Sequence, residues 1–338
     1  MSKKDFQPFQ RGLEEKRRSV TEFLETAPES KVEMCCKDAG NVQAHLEVID
    51  DALHKAGDRT LGICQVCREY VEPRWLEMDY TASVCLDHMS ETERRSLEAE
   101  LELSRIVQRA LLPQIVPVIT GAELAAFSRP AEIVGGDYFD FFQYRDGSQG
   151  LVIADIPGHG VSAGMLMGSL QASIRTLAPD KVSPAEILAH INRFYIHNIH
   201  FTTFVTVFLA SYDPNTRILT FANAGHNPPV IVRRIDPDVV WLKPTAPAIG
   251  LTEEYQPRTE RVTLARGDML FMYTDGVTEA VDQEEDQFGP LKLAEILKEN
   301  SDLHPEQMIQ LIRQELETFV GGRPLQDDTT FIALKILD

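Results

Sequence analysis

A chain of 338 residues is long for one domain, and its 43% hydrophobic and 25% charged content is that of an ordinary soluble globular protein with room for two or more units. A formal net charge of −19 argues against a nucleic-acid backbone or an anionic membrane as main partner, since both select basic surfaces. The opening MSKKDFQPFQRG lacks the apolar core of a signal peptide, and the best apolar run, Phe204 to Ala210, is only strand-sized. The expectation is a cytoplasmic protein whose five cysteines are reduced or metal-bound.

Residues 9–26 carry Phe9, Leu13, Val20, Phe23 and Leu24 at loosely helical spacing, and Ala27-Pro28-Glu29-Ser30 interrupts them. A second helical pattern runs from about Val32 to Lys55, with Val42, Leu46, Ile49 and Leu53 spaced i, i+4, i+7, i+11. The pair predicts a helical hairpin over 1–60; two core-facing helices of a small bundle fit the pattern equally well.

Residues 61–90 hold Cys64-x-x-Cys67 and Cys85-x-x-His88, separated by a loop. Two close pairs returned to each other by such a loop predict one structural Zn²⁺ in a closed tetrahedron of three thiolates and one imidazole. Cys35 and Cys36 have no matching pair and read as ordinary semi-buried residues. The helix end Ala52-Leu53-His54-Lys55-Ala56-Gly57, then Leu61-Gly62-Ile63-Cys64-Gln65-Val66-Cys67 and Cys85-Leu86-Asp87-His88, resemble the DksA/TraR zinc-finger family. The fourth ligand here is His88, where many members have Cys. Members of that kind act on RNA polymerase through acidic residues at the hairpin tip. The tip here, about Glu29 to Asp38, lacks clustered aspartates, so RNA polymerase contact is not carried over as the main reading.

From Glu91 to Leu112, Ser90 and Glu93 fit a capping box, and Pro113 stops the helix. One stripe is Leu97, Leu101, Ser104, Gln108 and Leu111; a second is Leu103, Ile106, Val107 and Ala110. Residues 91–113 therefore predict a linker helix that needs more than one neighbour, either the next domain or a partner helix in a coiled-coil homodimer.

Beyond Gln114, β-prone runs occupy 121–128, 137–144, 150–155, 204–212, 217–222, 229–233, 258–264, 269–273 and 329–337, with helical patterns at about 161–178, 184–198, 290–299 and 305–319. Helices cluster after strands rather than alternating with them. That predicts an α+β fold of antiparallel sheets flanked by helices. Four carboxylate positions fall at the edges of apolar runs: Asp137 after Gly135-Gly136, Asp155 after Leu151-Val152-Ile153-Ala154, Asp275 beside Gly276, and Asp327/Asp328 before the last strand. Any one alone is an ordinary turn aspartate. Four such edges suit convergence on a hard divalent cation.

The motifs Gly135-Gly136-Asp137, Ala154-Asp155-Ile156-Pro157-Gly158-His159-Gly160, Asn223-Ala224-Gly225-His226-Asn227-Pro228-Pro229, Tyr273-Thr274-Asp275-Gly276-Val277-Thr278-Glu279 and Asp327-Asp328-Thr329-Thr330 resemble the SpoIIE/RsbU-like serine/threonine phosphatases, the bacterial branch of the metal-dependent type 2C enzymes. Ile106 to Pro113 resembles the linker helix that enters such a domain. The resemblance implies a four-layer α-β-β-α sandwich over 114–338 with two Mn²⁺ or Mg²⁺ ions. Asp155 would bridge them, the Ile156 carbonyl would bind one, Asp275 and Asp327 would hold the other, and Asp137 would bind directly or through water. Asp328 is the alternative to Asp327, otherwise supporting it from behind. The implied reaction is dephosphorylation of a phosphoserine or phosphothreonine protein, of the anti-sigma-factor-antagonist type in a partner-switching pathway, with the N-terminal region as regulator. The alternative is an adaptor of the transcription apparatus with a weak or inactive phosphatase domain. His159 and His226 read as turn-packing residues rather than acids, and Pro157 stands where many members carry Ser. Gly135 to Phe139 is one letter from a diguanylate cyclase signature, but the downstream aspartate motifs would then go unexplained.

Overall fold

The computed structural model describes residues 39–58, 60–72, 82–158, 160–179, 183–199, 204–235, 239–323 and 325–337, together with Leu13, Glu14, Arg17, Arg18 and Thr21. The chain divides into two compact units, 1–100 and 101–338.

In the first unit, helix α1 (Ala39–Gly57) turns Ala52 and Ala56 inward onto Leu13 and Leu61. Arg17 Nε donates to Asp50 Oδ1 at 2.5 Å. The predicted hairpin tip, the side chain of Val42, and Cys35 and Cys36 lie outside the described residues. A 3₁₀ turn (Leu86–His88) follows Cys85. Helix α2 (Glu91–Leu111) starts on the predicted capping box: Glu93 N donates to Ser90 Oγ at 3.2 Å, and Ser90 N to Glu93 Oε2 at 3.0 Å.

The second unit has ten strands in two antiparallel sheets. Strands β1 (Ala122–Arg129), β2 (Tyr138–Gln143), β3 (Gln149–Asp155), β4 (Thr206–Asp213), β5 (Ile218–Ala224), β6 (Val230–Val232), β7 (Val239–Trp241), β8 (Glu260–Thr263), β9 (Met269–Tyr273) and β10 (Thr329–Ile336) give the orders β1-β10-β9-β6-β7 and β2-β3-β4-β5-β8. Helices α3 (Val161–Leu177) and α4 (Pro184–Asn198) follow β3; a single turn α5 (Asp275–Thr278) follows β9; α6 (Pro290–Glu299) and α7 (Pro305–Phe319) precede β10.

Side chains alternate across each strand, so a sheet covered on both faces needs apolar residues at nearly every position. On β3, Val152 and Ala154 pack with Met167, Leu170 and Ile187 from α3 and α4, while Leu151 and Ile153 face Leu270, Met272 and Ile332 of the other sheet. On β9, Met269, Phe271 and Tyr273 turn the other way, onto Leu293, Met308 and Ile312 of α6 and α7. Three apolar layers thus separate four structural layers, helix–sheet–sheet–helix. The expectation of antiparallel sheets flanked by helices holds. β7 had no counterpart among the predicted strands; it is three half-buried residues at a sheet edge.

Candidate metal centre

Four chain segments meet at one end of the two sheets. β3 ends on Asp155, paired across the ladder with Thr206. β9 ends at Tyr273 and hands Asp275 to the turn α5. The segment before β2 carries Gly135, Gly136 and Asp137, and the segment before β10 carries Asp327 and Asp328. Close backbone approach holds them together. A Cβ on Gly136 would overlap the carbonyl of Ile156, one on Gly276 the carbonyl of Asp328, and one on Gly135 the Asp328 carboxylate. Glycine is required at these three positions for space.

The two neighbouring aspartates have different surroundings. Asp328 is buried, and its carboxylate accepts from Gly136 N at 2.5 Å, Ala131 N at 2.7 Å and Asp137 N at 3.4 Å. It is a clasp that fixes the glycine loop. Asp327 is exposed, and among the described residues its Oδ1 accepts only from the backbone N–H of Asp328, at 2.8 Å. Asp137 is buried and accepts from Thr274 Oγ1 at 2.8 Å; that hydroxyl in turn accepts from Thr330 N at 3.0 Å.

The site carries mutually repelling charge. Burial, then Asp275, Asp327, Asp328 and Glu279, push Asp155 up to about 7. Burial, then Asp327 and Glu279, push Asp275 up to about 6. Burial and then Asp155 push Asp137 well above the usual carboxylate range, against the pull of the Thr330 and Thr274 hydroxyls. Burial also raises Asp328, against its three backbone donors. Hard oxygen donors whose negative charge lacks compensation fit a divalent cation.

Other sequence candidates fall outside the centre. Asp140 is fully buried mid-strand on β2 in a bidentate pair with Arg175 of α3 at 2.6 Å, and also accepts from Tyr138 Oη at 2.9 Å. His226 packs a turn: its Nδ1 lies 2.8 Å from Thr206 Oγ1, its N–H donates to Asn223 Oδ1 at 2.8 Å, and burial lowers the ring to about 3. A ring neutral throughout the physiological range cannot serve as an acid. His159 lies outside the described residues.

Residues 145–337 match the family model described as Stage II sporulation protein E (SpoIIE), more than half of the chain. The chain belongs to the SpoIIE family. Among curated proteins, it is 27% identical over 242 residues to the phosphoserine phosphatase RsbU of Bacillus subtilis, covering 72% of this chain and 71% of RsbU. Among solved structures, the SiaA-PP2C domain of Pseudomonas aeruginosa superposes with a TM-score of 0.63 at 22% identity, covering 73% of this chain and 99% of that one. The RsbU and RsbW domains of Rv1364c from Mycobacterium tuberculosis superpose with a TM-score of 0.57 at 26% identity, covering 67% and 63%.

Two residues near the centre escaped the sequence reading of the site. Gln108 of α2, assigned only to an apolar stripe, is buried and grips the glycine loop with both ends of its amide: Nε2 donates to Gly135 O at 2.6 Å, and Oε1 accepts from Gly135 N at 3.1 Å. Gln108 and Ser104, polar residues within a stripe of leucines, were the available signal. Glu279 closes the Thr274–Glu279 motif and adds its charge to Asp155 and Asp275.

The family match leaves the Cys/His segment to be judged by its own geometry. The ligand atoms of Cys64, Cys67, Cys85 and His88 all lie within 4.8 Å of one another. Cys67 Sγ is 3.9 Å from Cys85 Sγ, and Cys85 Sγ is 3.0 Å from His88 Nδ1. A tetrahedron with zinc–sulfur bonds of about 2.3 Å places its sulfurs roughly 3.8 Å apart, so the four residues fit the ion. The backbone N–H of Cys85, with that of Cys67, lowers Cys64 to about 6, the direction a metal-binding thiolate needs, whereas burial and the neighbouring thiols raise Cys85 to about 11, so the geometry rather than the charge state carries the fit.

Proposed function

We propose that this chain is a metal-dependent phosphoserine/phosphothreonine protein phosphatase acting on a phosphorylated anti-sigma-factor antagonist. The observation that carries it is the convergence of Asp137, Asp155, Asp275 and Asp327 at one sheet end, with repulsion that raises Asp155 and Asp275. Asp155, at the centre of the repulsion, would be the ligand shared by the two ions; Asp275 and Asp327 would hold one, and Asp137 and the Ile156 carbonyl would serve the other. Two bound Mn²⁺ or Mg²⁺ ions would supply an acidified water for in-line attack and neutralise the phosphate oxygens. Asp328 is assigned to the loop clasp, because its carboxylate already accepts three backbone N–H bonds. Gln108 and Thr274 orient the loop and Asp137.

Cys64, Cys67, Cys85 and His88 would hold one structural Zn²⁺ in a DksA/TraR-like segment that serves as regulatory input. The stripe Leu103, Ile106 and Val107 is at least half exposed, at 61%, 52% and 50%, and supports a homodimer seam along α2. No described helix is long and apolar enough to cross a membrane.

The test is Mn²⁺-dependent phosphate release from p-nitrophenyl phosphate and from a phosphoserine protein. Asp155→Asn is expected to lower the rate by more than about 100-fold, the upper end of what losing a supporting group alone costs. Unchanged activity in that variant rejects the assignment. Failure of the full chain to bind two Mn²⁺, together with capture of RNA polymerase by it, would favour the adaptor reading instead.

A further inference from the structure

Beside the carboxylate centre, the second unit holds a cavity of about 490 Å³. Arg105 and Arg109 of α2 line it, with Ile133 and Phe139 supplying apolar surface. Asp137 and Asp328 also line it, so it is continuous with the metal loop. The two arginines differ. Arg105 is tied to Glu102 through Nε at 2.8 Å and Nη2 at 2.6 Å. The Arg109 guanidinium is exposed and has no ion-pair or hydrogen-bond partner among the described residues; the side chain of Gln114 engages its backbone carbonyl instead, through Nε2 at 2.5 Å.

A chain of net charge −19 repels an anionic substrate at long range. Metal ions at the centre answer for the phosphate itself, but not for acidic residues on either side of it. An unpaired guanidinium in a concave site next to the centre answers that need: its planar fork matches a carboxylate in a two-point, charge-assisted contact. Glu132 lines the same cavity and would repel an acid, so the carboxylate is received on the α2 side. Ile133 and Phe139 would cover the aliphatic stem of that side chain.

We propose that this cavity is a subsite for acidic residues flanking the phosphoserine of the protein substrate, with Arg109 as its specificity-determining cation. The inference rests on the phosphatase reading above and adds a sequence preference to it.

The experiment uses the full chain with Mn²⁺ and a pair of phosphoserine peptides, one with Asp and Glu flanks and one with Asn and Gln in their place. Hydrolysis of p-nitrophenyl phosphate, which has no flank, reports an intact metal centre. The acidic peptide is expected to show a KM about ten-fold lower than the neutral one, as for one charge-assisted contact. Arg109→Ala is expected to bring the ratio to one, and Arg109→Glu to transfer the preference to a lysine-flanked peptide. Equal KM values in the unmodified chain, or a preference that survives Arg109→Ala, overturn the proposal. Titration of the unphosphorylated acidic peptide into the metal-free protein reads the subsite without any reaction. Peptide binding through Arg109 with no hydrolysis of any substrate sinks the phosphatase reading alone. Arg109-dependent binding of inorganic phosphate but not of the peptide overturns the subsite and assigns the cavity to a free anion.

Discussion

The chain carries two candidate metal sites that are nearly opposite in design. The Cys64–Cys67–Cys85–His88 clasp is compact, soft-ligated and closed, and its atoms already contact one another, with Cys85 Sγ 3.0 Å from His88 Nδ1. The carboxylate centre is hard-ligated and strained by charge, and is held together from behind by Asp328 and three glycines. Among the described residues around the clasp the apolar core is two small clusters, Cys64, Val71 and Cys85 in one and Leu13, Ala52, Ala56 and Leu61 in the other. The carboxylate centre sits on a fold with three apolar layers of its own. One site would spend its ion on folding, the other on chemistry.

The sharpest way to break this contrast is to remove each metal and watch the fold. Cys67→Ser, or a zinc chelator, is expected to collapse protection of residues 39–90 in hydrogen exchange, since a structural zinc contributes ~10 kcal/mol to folding. Amides of the two sheets should stay protected. Equal loss in both units would erase the distinction.

A smaller effect separates the neighbours Asp327 and Asp328. Asp328→Ala leaves the amides of Ala131 and Gly136 without their acceptor and is expected to cost about 2–4 kcal/mol in denaturant unfolding. Asp327→Ala should leave stability unchanged or raise it, because it removes a repelling charge, while abolishing Mn²⁺-dependent activity. Equal destabilisation by both variants would mean that the clasp and the ligand have been assigned the wrong way round.

The smallest effect is in pH. Asp155 and Asp275 titrate near 7 and 6 in the folded protein and near 3.8 when unfolded, so between these limits the native state binds more protons. Their penalty is absent below about pH 4, grows as pH rises, and is complete above about pH 7. His226 and Cys64 are shifted the opposite way, so the effect is read as a difference: relative to an Asp155→Asn/Asp275→Asn variant, the melting temperature of the metal-free protein should fall from pH 5 to pH 8, and saturating Mn²⁺ should flatten the fall. A pH dependence identical in the variant and the unmodified metal-free protein would contradict the charge arrangement.

The same contrast explains what the sequence made legible. Strands covered on both faces read as nearly unbroken apolar runs, so β3, β9 and β10 stand out and their edge aspartates with them. β7 could not be seen, since three half-buried residues at an edge carry no period. Asp327 and Asp328 are chemically identical in the sequence; only backbone donors from residues nearly 200 positions earlier tell them apart. Gln108 was hidden for the reverse reason: its heptad position suggested packing, and its partner is a bare backbone at Gly135.

β10 lies between β1 and β9, and its leading aspartate holds the loop before β2, with 197 positions between Ala131 and Asp328. During synthesis, everything from β1 to α7 must leave the ribosome before that strand can be inserted. Until then β1 lacks its hydrogen-bonding neighbour and the glycine loop lacks its acceptor. A nascent or clipped chain that stops short of residue 327 would thus be silent towards phosphoproteins, however well its earlier strands had formed. Catalytic competence would arrive in one late step rather than by degrees.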